Sequence, residues 1–288
     1  MCDAIKLYPG VAPGSEKLTI EERYFTEEWN DKQKELVENV TSPELIPFIP
    51  QGDSKKSAII IIPGGAFKRQ VLNHEGRDIA EWLNKQGIAT FVLKTRLPVN
   101  EHTNQYDVLL MDAQRAVRIV RAHAEEWGIR EDSIGVMGFS AGGYQAALIA
   151  TGFDKKLGKP LDEIDGYSAR PDFAVMCYPA IAKEVQENRG DTKKFPVAIY
   201  EKKQLAKYNP AEMLNENTPP LFIVETDDDV TTPAENSVLL YFAARRMKVP
   251  AELHIFRTGN HGFGLGNDEG QTGQWKELFL KWAKTVGI

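Results

Sequence analysis

The chain has 288 residues, 42% hydrophobic and 26% charged, with a formal net charge of −6. This is ordinary globular composition, enough for one large domain or two small ones, and its acidity argues against a nucleic-acid partner. No apolar run approaches a membrane span, and the start, MCDAIKLYPG, lacks the basic and apolar regions of a signal peptide. Basic residues stand mostly in scattered pairs (Lys55-Lys56, Lys155-Lys156, Lys193-Lys194, Lys202-Lys203), a pattern of solvated loops rather than of a phosphate-binding stripe. The two cysteines, Cys2 and Cys177, suit a reducing cytoplasm, and no structural disulfide is expected. No C-x-x-C or H-E-x-x-H spacing occurs, so no metal site is expected.

In chain order, SAIIIIP (57–63) predicts a strand covered on both faces, because it is apolar without alternation. GRDIAEWLNKQG (76–87) reads as an amphipathic helix ending at a glycine, and IATFVLK (88–94) as a second buried strand. From Asp107 to Trp127 a long helix carries Leu109, Ala113, Ala116, Val117, Val120, Ala124 and Trp127 on one face. DSIGVMGFS (132–140) is a third strand, with GGYQAALIATG (142–152) a helix behind it. DFAVMCYP (172–179), PLFIVET (220–226) and AELHIF (251–256) read as strands, and 233–247 and 273–286 as helices. Strands alternating with helices predict an α/β fold, a mostly parallel central sheet with helices on both faces, as a single domain over 1–288. The charged, weakly periodic stretch 180–215 reads as a cap-like insertion over the carboxyl edge of the sheet, where sites of such folds form.

GFSAGG (138–143) fits G-x-S-x-G, preceded by a strand and followed by a helix. A serine at so sharp a turn sits in a strained backbone, and bulk at Gly138 or Gly142 would clash with it. The turn exposes the Ser140 hydroxyl above the sheet as a nucleophile, and the helix N-terminus favours a developing oxyanion. PGGAF (63–67) follows the first long buried strand, where an oxyanion loop belongs, so the amides of Gly65, Ala66 and Ala141 are the candidate donors. Of the five histidines, His102, His123 and His254 read as structural or solvated. His261, in the glycine-rich GNHGFG after the last strand, completes the chain order serine, acid, histidine and is the candidate base. His74, in NHEG, reads as a substrate or structural contact. The acid must lie in ETDDDVTTP (225–233), between a buried strand and a helix. A metal reading of the three aspartates fails, because successive residues of an extended segment point apart and no EF-hand glycine or glutamate follows.

With these motifs the chain resembles the α/β-hydrolase family of bacterial acetyl esterases, the acetylxylan and carbohydrate acetyl esterases. The segments that carry the resemblance are LYPGVAPGSE (7–16), PGGAF (63–67), NHEG with its helix (73–86), VLKTRLP (92–98), DAQRAVRIVR (112–121), GVMGFSAGG (135–143), PAENS (233–237) and PAELHIFRTGNHGFG (250–264). The resemblance implies an α/β-hydrolase fold and a serine esterase taking short acyl groups, chiefly acetyl, from sugars or xylo-oligosaccharides. It implies neither cofactor nor metal, and a small acyl ester as the partner, with no nucleic acid or membrane. In related hydrolases the acid loop reads D-x-x-V-P. Counting back from Pro233 gives Asp229, with Thr232 in place of valine, and a register shifted by one would give Asp228. Phe67, His74 and Tyr144 are candidate substrate contacts. An arylformamidase-like or exopeptidase amidase with the same triad, and a non-catalytic binding protein on the same fold, are the alternatives. Two positions depart from the family pattern: Ala66 replaces a usual third glycine, and Thr95 stands where tyrosine is common.

Overall fold

In the computed structural model, which describes residues 3–29, 32–52, 54–188 and 197–288, the elements follow in the order β1 (Ile5–Lys6), β2 (Arg23–Trp29), β3 (Lys32–Glu38), β4 (Glu44–Phe48), β5 (Ala58–Ile62), β6 (Arg69–Val71), α1 (Asp78–Lys85), β7 (Ala89–Lys94), α2 (Val108–Ala122), β8 (Ile134–Phe139), α3 (Ala141–Gly152), β9 (Ala174–Cys177), α4 (Lys183–Asn188), α5 (Ile199–Lys207), α6 (Pro210–Met213), β10 (Leu221–Thr226), α7 (Glu235–Arg246), β11 (Ala251–Phe256) and α8 (Trp275–Thr285). Eight strands form one sheet, ordered β1-β4-β7-β5-β8-β9-β10-β11. From β7 to β11 the neighbours run parallel, and β4 and then β1 join antiparallel at one edge.

Every residue of β5, β7, β8, β9 and β10 is buried, which is why these strands read as unbroken apolar runs. Alternate side chains serve two cores. Ile60 and Ile62 face the core shared with Leu109, Val117, Ala146 and Leu240 of α2, α3 and α7. Ile59 and Ile61 face the other, built with Ile79 and Leu83 of α1 and with Trp275, Phe279 and Trp282 of α8. Burying each such side chain contributes about 1.5–3 kcal/mol. The loops that carry the candidate site residues then emerge at the carboxyl ends of the parallel strands.

Two features lie outside the elements expected from the sequence. β1 and β4 extend the sheet, and β2, β3 and β6 form a separate antiparallel sheet. In β2, RYFTEEW is charged and six of its seven residues are exposed, so no apolar alternation marks it as a strand. Within 180–215, three short helices, α4, α5 and α6, lie between β9 and β10. Residues 189–196, with Lys193-Lys194, fall outside the described residues, as does Cys2. Among the described residues, no helix is long and apolar enough to cross a membrane.

One buried ion pair joins the N-terminal segment to this frame. Asp112 in α2 and Arg96 after β7 are both fully buried, with Arg96 Nη2 donating to Asp112 Oδ1 at 2.6 Å. The hydroxyls of Tyr8 and Thr95 donate to the same carboxylate at 2.9 and 3.1 Å. Arg96 Nη1 reaches the Pro13 carbonyl at 2.6 Å, which fastens LYPGVAPGSE to the sheet. His102 is buried here, 3.0 Å from the Ser15 hydroxyl, and burial followed by the Arg96 charge pushes it down to about 4. It is a structural, neutral histidine rather than a solvated one. Asp112→Ala strands the Arg96 charge in a dry interior and is expected to cost about 3–5 kcal/mol in urea unfolding. A loss below about 1 kcal/mol would show that this pair does not anchor the segment.

Candidate active site

At the end of β8, Ser140 has φ of 55°, a left-handed conformation that costs a residue with a side chain. The neighbouring glycines make the turn possible. A Cβ on Gly138 would stand 2.0 Å from the Gly142 carbonyl oxygen, and one on Gly142 would stand 2.0 Å from that of Ile62. The Ser140 amide donates to the Cys177 carbonyl at 2.9 Å, so β9 fixes the turn from the side. Ala141 then opens α3, and its N–H lies where the helix dipole is positive.

The loop after β5 crosses directly above this turn. A Cβ on Gly64 would lie 2.8 Å from Ser140 Cβ. Gly65, Ala66 and Phe67 all have positive φ, at 140°, 56° and 58°, which folds the loop tightly at this point. Among the described residues, the amides of Gly65, Ala66 and Ala141 take part in no backbone hydrogen bond outside the helices and strands, which keeps them as candidate oxyanion donors.

The three candidate triad side chains come together across three loops. His261 Nε2 is 2.8 Å from Ser140 Oγ, and His261 Nδ1 is 2.6 Å from Asp229 Oδ2. Asp229 is buried, and its Oδ1 accepts from the amides of Thr231 and Thr232 at 2.7 and 2.8 Å. The Thr232 hydroxyl lies 3.0 Å from Asp229 Oδ2 and 3.1 Å from the Tyr178 carbonyl, with one proton to donate. Thr232, the departure from valine, thus adds a polar support for the acid. Such an arrangement can take a proton from Ser140 at His261 Nε2 while Asp229 holds Nδ1–H in place.

Each aspartate of the run has a different task. The Asp227 amide donates to the Phe256 carbonyl at 2.8 Å, extending the β10–β11 ladder, and its side chain is exposed. Asp228 points to the histidine loop, accepting from the Gly259 amide at 3.0 Å and the Asn260 amide at 2.8 Å. Only Asp229 reaches the imidazole. Below it, Glu225 is fully buried, and burial followed by the charge of Asp229 pushes its carboxyl up.

The candidate substrate contacts divide. His74 Nε2 donates to the Gly262 carbonyl at 2.9 Å and so grips the histidine loop. Phe67 is buried, its ring set edge-on to Tyr144 with centroids 5.3 Å apart. Tyr144 is fully buried and its hydroxyl donates to the Tyr208 carbonyl at 2.9 Å, so it braces α3 against the end of α5 rather than facing substrate. Its place in the first turn of α3 suggests the site, but it points into the core. Thr95 likewise lies inside, bonded to Asp112. His123 pairs with Glu126 at 3.1 Å and His254 with Glu252 at 2.7 Å, both away from Ser140.

Two further residues escape motif reading. Glu75, buried in a π-helical turn over 73–77, accepts from the Gly64 amide at 2.9 Å and from the Tyr178 hydroxyl at 2.9 Å. Tyr178 has φ of 40° and sets its ring edge-on to His261, centroids 5.0 Å apart. Beside His261 a cleft of about 410 Å³ is lined by polar side chains including Lys34, His74, Asn260, Asn267 and Gln271. The exposed Trp29 at the end of β2 hangs over the same loop, its ring 3.4 Å from where a Cβ of Gly262 would stand.

Comparison with known proteins places the chain among esterases by sequence and fold. The BD-FAE family model matches residues 47–243. An acetylxylan esterase of Xylanibacter ruminicola is 30% identical over 248 residues, which cover 84% of this chain and 48% of that protein. The chain therefore spans about half the length of that curated relative. The crystal structure of an acetyl ester-xyloside bifunctional hydrolase from Caldicellulosiruptor lactoaceticus matches with a TM-score of 0.79 at 32% identity, covering 99% of this chain and 96% of that one. A carboxylesterase from Lactobacillus plantarum WCFS1 shares the fold, with a TM-score of 0.68 at 19% identity over 93% of this chain and 98% of its own.

Asp229→Asn is expected to lower kcat by roughly 10³–10⁴-fold, because an amide can hold the imidazole in the wrong tautomer. Asp227→Asn should cost less than about tenfold, and Asp228→Asn an intermediate amount through the loosened histidine loop. Steady-state kinetics of the three variants decides the register. A crippled Asp228→Asn beside a mild Asp229→Asn would move the acid to Asp228.

Proposed function

The chain belongs to the BD-FAE family, and from that premise we propose that it is a serine carboxylesterase removing acetyl groups from acetylated sugars or xylo-oligosaccharides. The observation that carries this reading is the continuous chain of contacts from Ser140 Oγ to His261 Nε2, 2.8 Å, and from His261 Nδ1 to Asp229, 2.6 Å. Ser140 Oγ attacks the acetyl carbonyl as His261 Nε2 takes its proton. The carbonyl oxygen becomes an oxyanion received by the amides of Ala141, Gly65 and Ala66, each donor being worth about 10²–10³ in kcat. Collapse of the tetrahedral intermediate breaks the ester bond, and His261 hands its proton to the departing sugar oxygen. Water then repeats the sequence on acetyl-Ser140 and releases acetate.

The leaving group must stand against His261 to receive that proton. The exposed Trp29, whose ring stands 3.4 Å from where a Cβ of Gly262 would lie, offers an aromatic face beside the histidine loop, which suits a carbohydrate better than an alkyl alcohol. The acetylxylan esterase and the acetyl ester-xyloside hydrolase, by name, act on the same chemistry. The described part of 180–215 carries the charged helix KEVQEN rather than an apolar lid, which favours short acyl chains. Cys177, a buried free thiol, suits a reducing cytoplasm, where the substrates would be imported oligosaccharides rather than polymeric xylan.

Acetate release from an acetylated xylo-oligosaccharide, set against turnover of a formylated aromatic amine, tests the reading. Ester turnover should dominate, and Ser140→Ala should remove on the order of 10⁴-fold or more of kcat with folding intact. Preferred turnover of the amide, or a Ser140→Ala enzyme with a tenth of wild-type activity, would overturn it. Acetate esters should be cleaved faster than octanoate esters of the same alcohol, in a graded series, since each methylene shifts selectivity by only ~1–3 kcal/mol. Trp29→Ala should raise KM for the oligosaccharide about three- to tenfold more than KM for p-nitrophenyl acetate. Equal changes for both substrates would remove Trp29 from the sugar side.

A further inference from the structure

We propose that Glu75 is a positioning residue whose buried carboxylate, linked through Tyr178, holds the Gly64–Gly65 loop and the His261 loop in fixed relation above Ser140. The inference rests on the esterase reading and names what keeps that site assembled. Glu75 lies outside the triad and is 4% exposed. A carboxylate so deep is costly unless both oxygens have donors. Here both do. Oε2 takes the Gly64 amide at 2.9 Å, and Oε1 takes the Tyr178 hydroxyl at 2.9 Å.

These donors belong to the two loops whose separation sets the chemistry. Gly64 is held from both sides, its amide by Glu75 and its carbonyl by the Val71 amide at 3.0 Å. The peptide that follows carries the Gly65 amide, a proposed oxyanion donor. A Cβ on Gly64 would stand 2.6 Å from Glu75 Oε2 and 2.8 Å from Ser140 Cβ, so Glu75, loop and nucleophile are in direct contact. On the other side, the Tyr178 hydroxyl accepts from the Gly264 amide at 3.1 Å while its ring packs on His261. Burial, then the Glu75 charge, pushes the Tyr178 phenol well up, so it stays a donor. The adjacent His74 binds the Gly262 carbonyl at 2.9 Å. His74 and Glu75 therefore grip the histidine loop on either side of Phe263. The NHEG stretch is a clamp.

Glu75→Gln keeps the shape and an acceptor for Gly64, but its amide nitrogen cannot accept from the Tyr178 hydroxyl. A displacement of about 1 Å in such a site costs on the order of 10²-fold. We expect Glu75→Gln to lower kcat for p-nitrophenyl acetate about 10–100-fold, with KM within about threefold. Ki for a methyl trifluoromethyl ketone, which forms a tetrahedral adduct on the serine, should rise by the same factor as kcat falls. Tyr178→Phe should move both quantities in the same direction by less, and the double variant should be no worse than Glu75→Gln alone, because both break one link. Tyr178→Phe also carries the test if Glu75→Gln does not fold. Melting temperature is measured alongside. A lowered melting temperature with kcat and Ki unchanged would mean a purely structural carboxylate and overturn the proposal, as would multiplicative losses in the double variant. A wild-type protein that turns over no ester would overturn the functional reading first, and this inference with it. An active wild type beside an unimpaired Glu75→Gln overturns only the inference.

Discussion

A residue with a side chain is held at φ of 55° between β8 and α3, and the space around it admits only glycine at positions 138 and 142. The rest of the site depends on that turn. It lifts the Ser140 hydroxyl off the end of the sheet and starts a helix beneath it. The cost of such a conformation, of order 1–3 kcal/mol, must be met by the surroundings. The surroundings are β5, β8 and β9, fully buried strands whose cores lock the backbone on both sides of the turn. The parallel sheet thus acts as the rigid base on which a strained residue can be held.

Around this turn the chain gathers carboxylates, Asp229 and Glu75 buried and Asp228 half-buried, and it satisfies them one by one. Asp229 has two amides, a hydroxyl and an imidazole. Asp228 has two amides of the histidine loop. Glu75 has an amide and a phenol. A carboxylate with several donors is held in one orientation: Asp229 by its own turn and by His261, Asp228 by two adjacent amides of the histidine loop, and Glu75 by the loop after β5 and by Tyr178. The three acidic residues therefore do for the loops what the ladders do for the strands. His261 sits in a glycine-rich, partly exposed loop, yet it is fixed from Asp228, Asp229, His74 and Tyr178.

Much of the frame is legible in the sequence, because buried parallel strands and amphipathic helices have distinct apolar periods. SAIIIIP and PLFIVET lie within a residue or two of β5 and β10. What escapes is the antiparallel ribbon, since RYFTEEW exposes nearly all of its side chains and has no buried face to show. That omission hides Trp29, which approaches the histidine loop only through the folded ribbon. Ser140 and His261 follow from a local motif and from chain order. The choice among the three aspartates does not, because their roles differ by one residue in a turn, and only the family spacing points to Asp229. Tyr144 misleads for the opposite reason: neighbours in sequence of a site residue need not face the site, and on α3 its direction is into the core. Glu75 lies in NHEG, one of the segments that carry the family resemblance, but its meaning depends on Gly64, Tyr178 and Gly264, which come together only in the fold.

The central claim is that Ser140 is an activated nucleophile. Reaction with a fluorophosphonate, followed by peptide mapping, tests it without assuming a substrate. The account requires one label per chain, on Ser140, and its loss when His261 is replaced by alanine. A label on any other serine, or no label on folded protein, would contradict it.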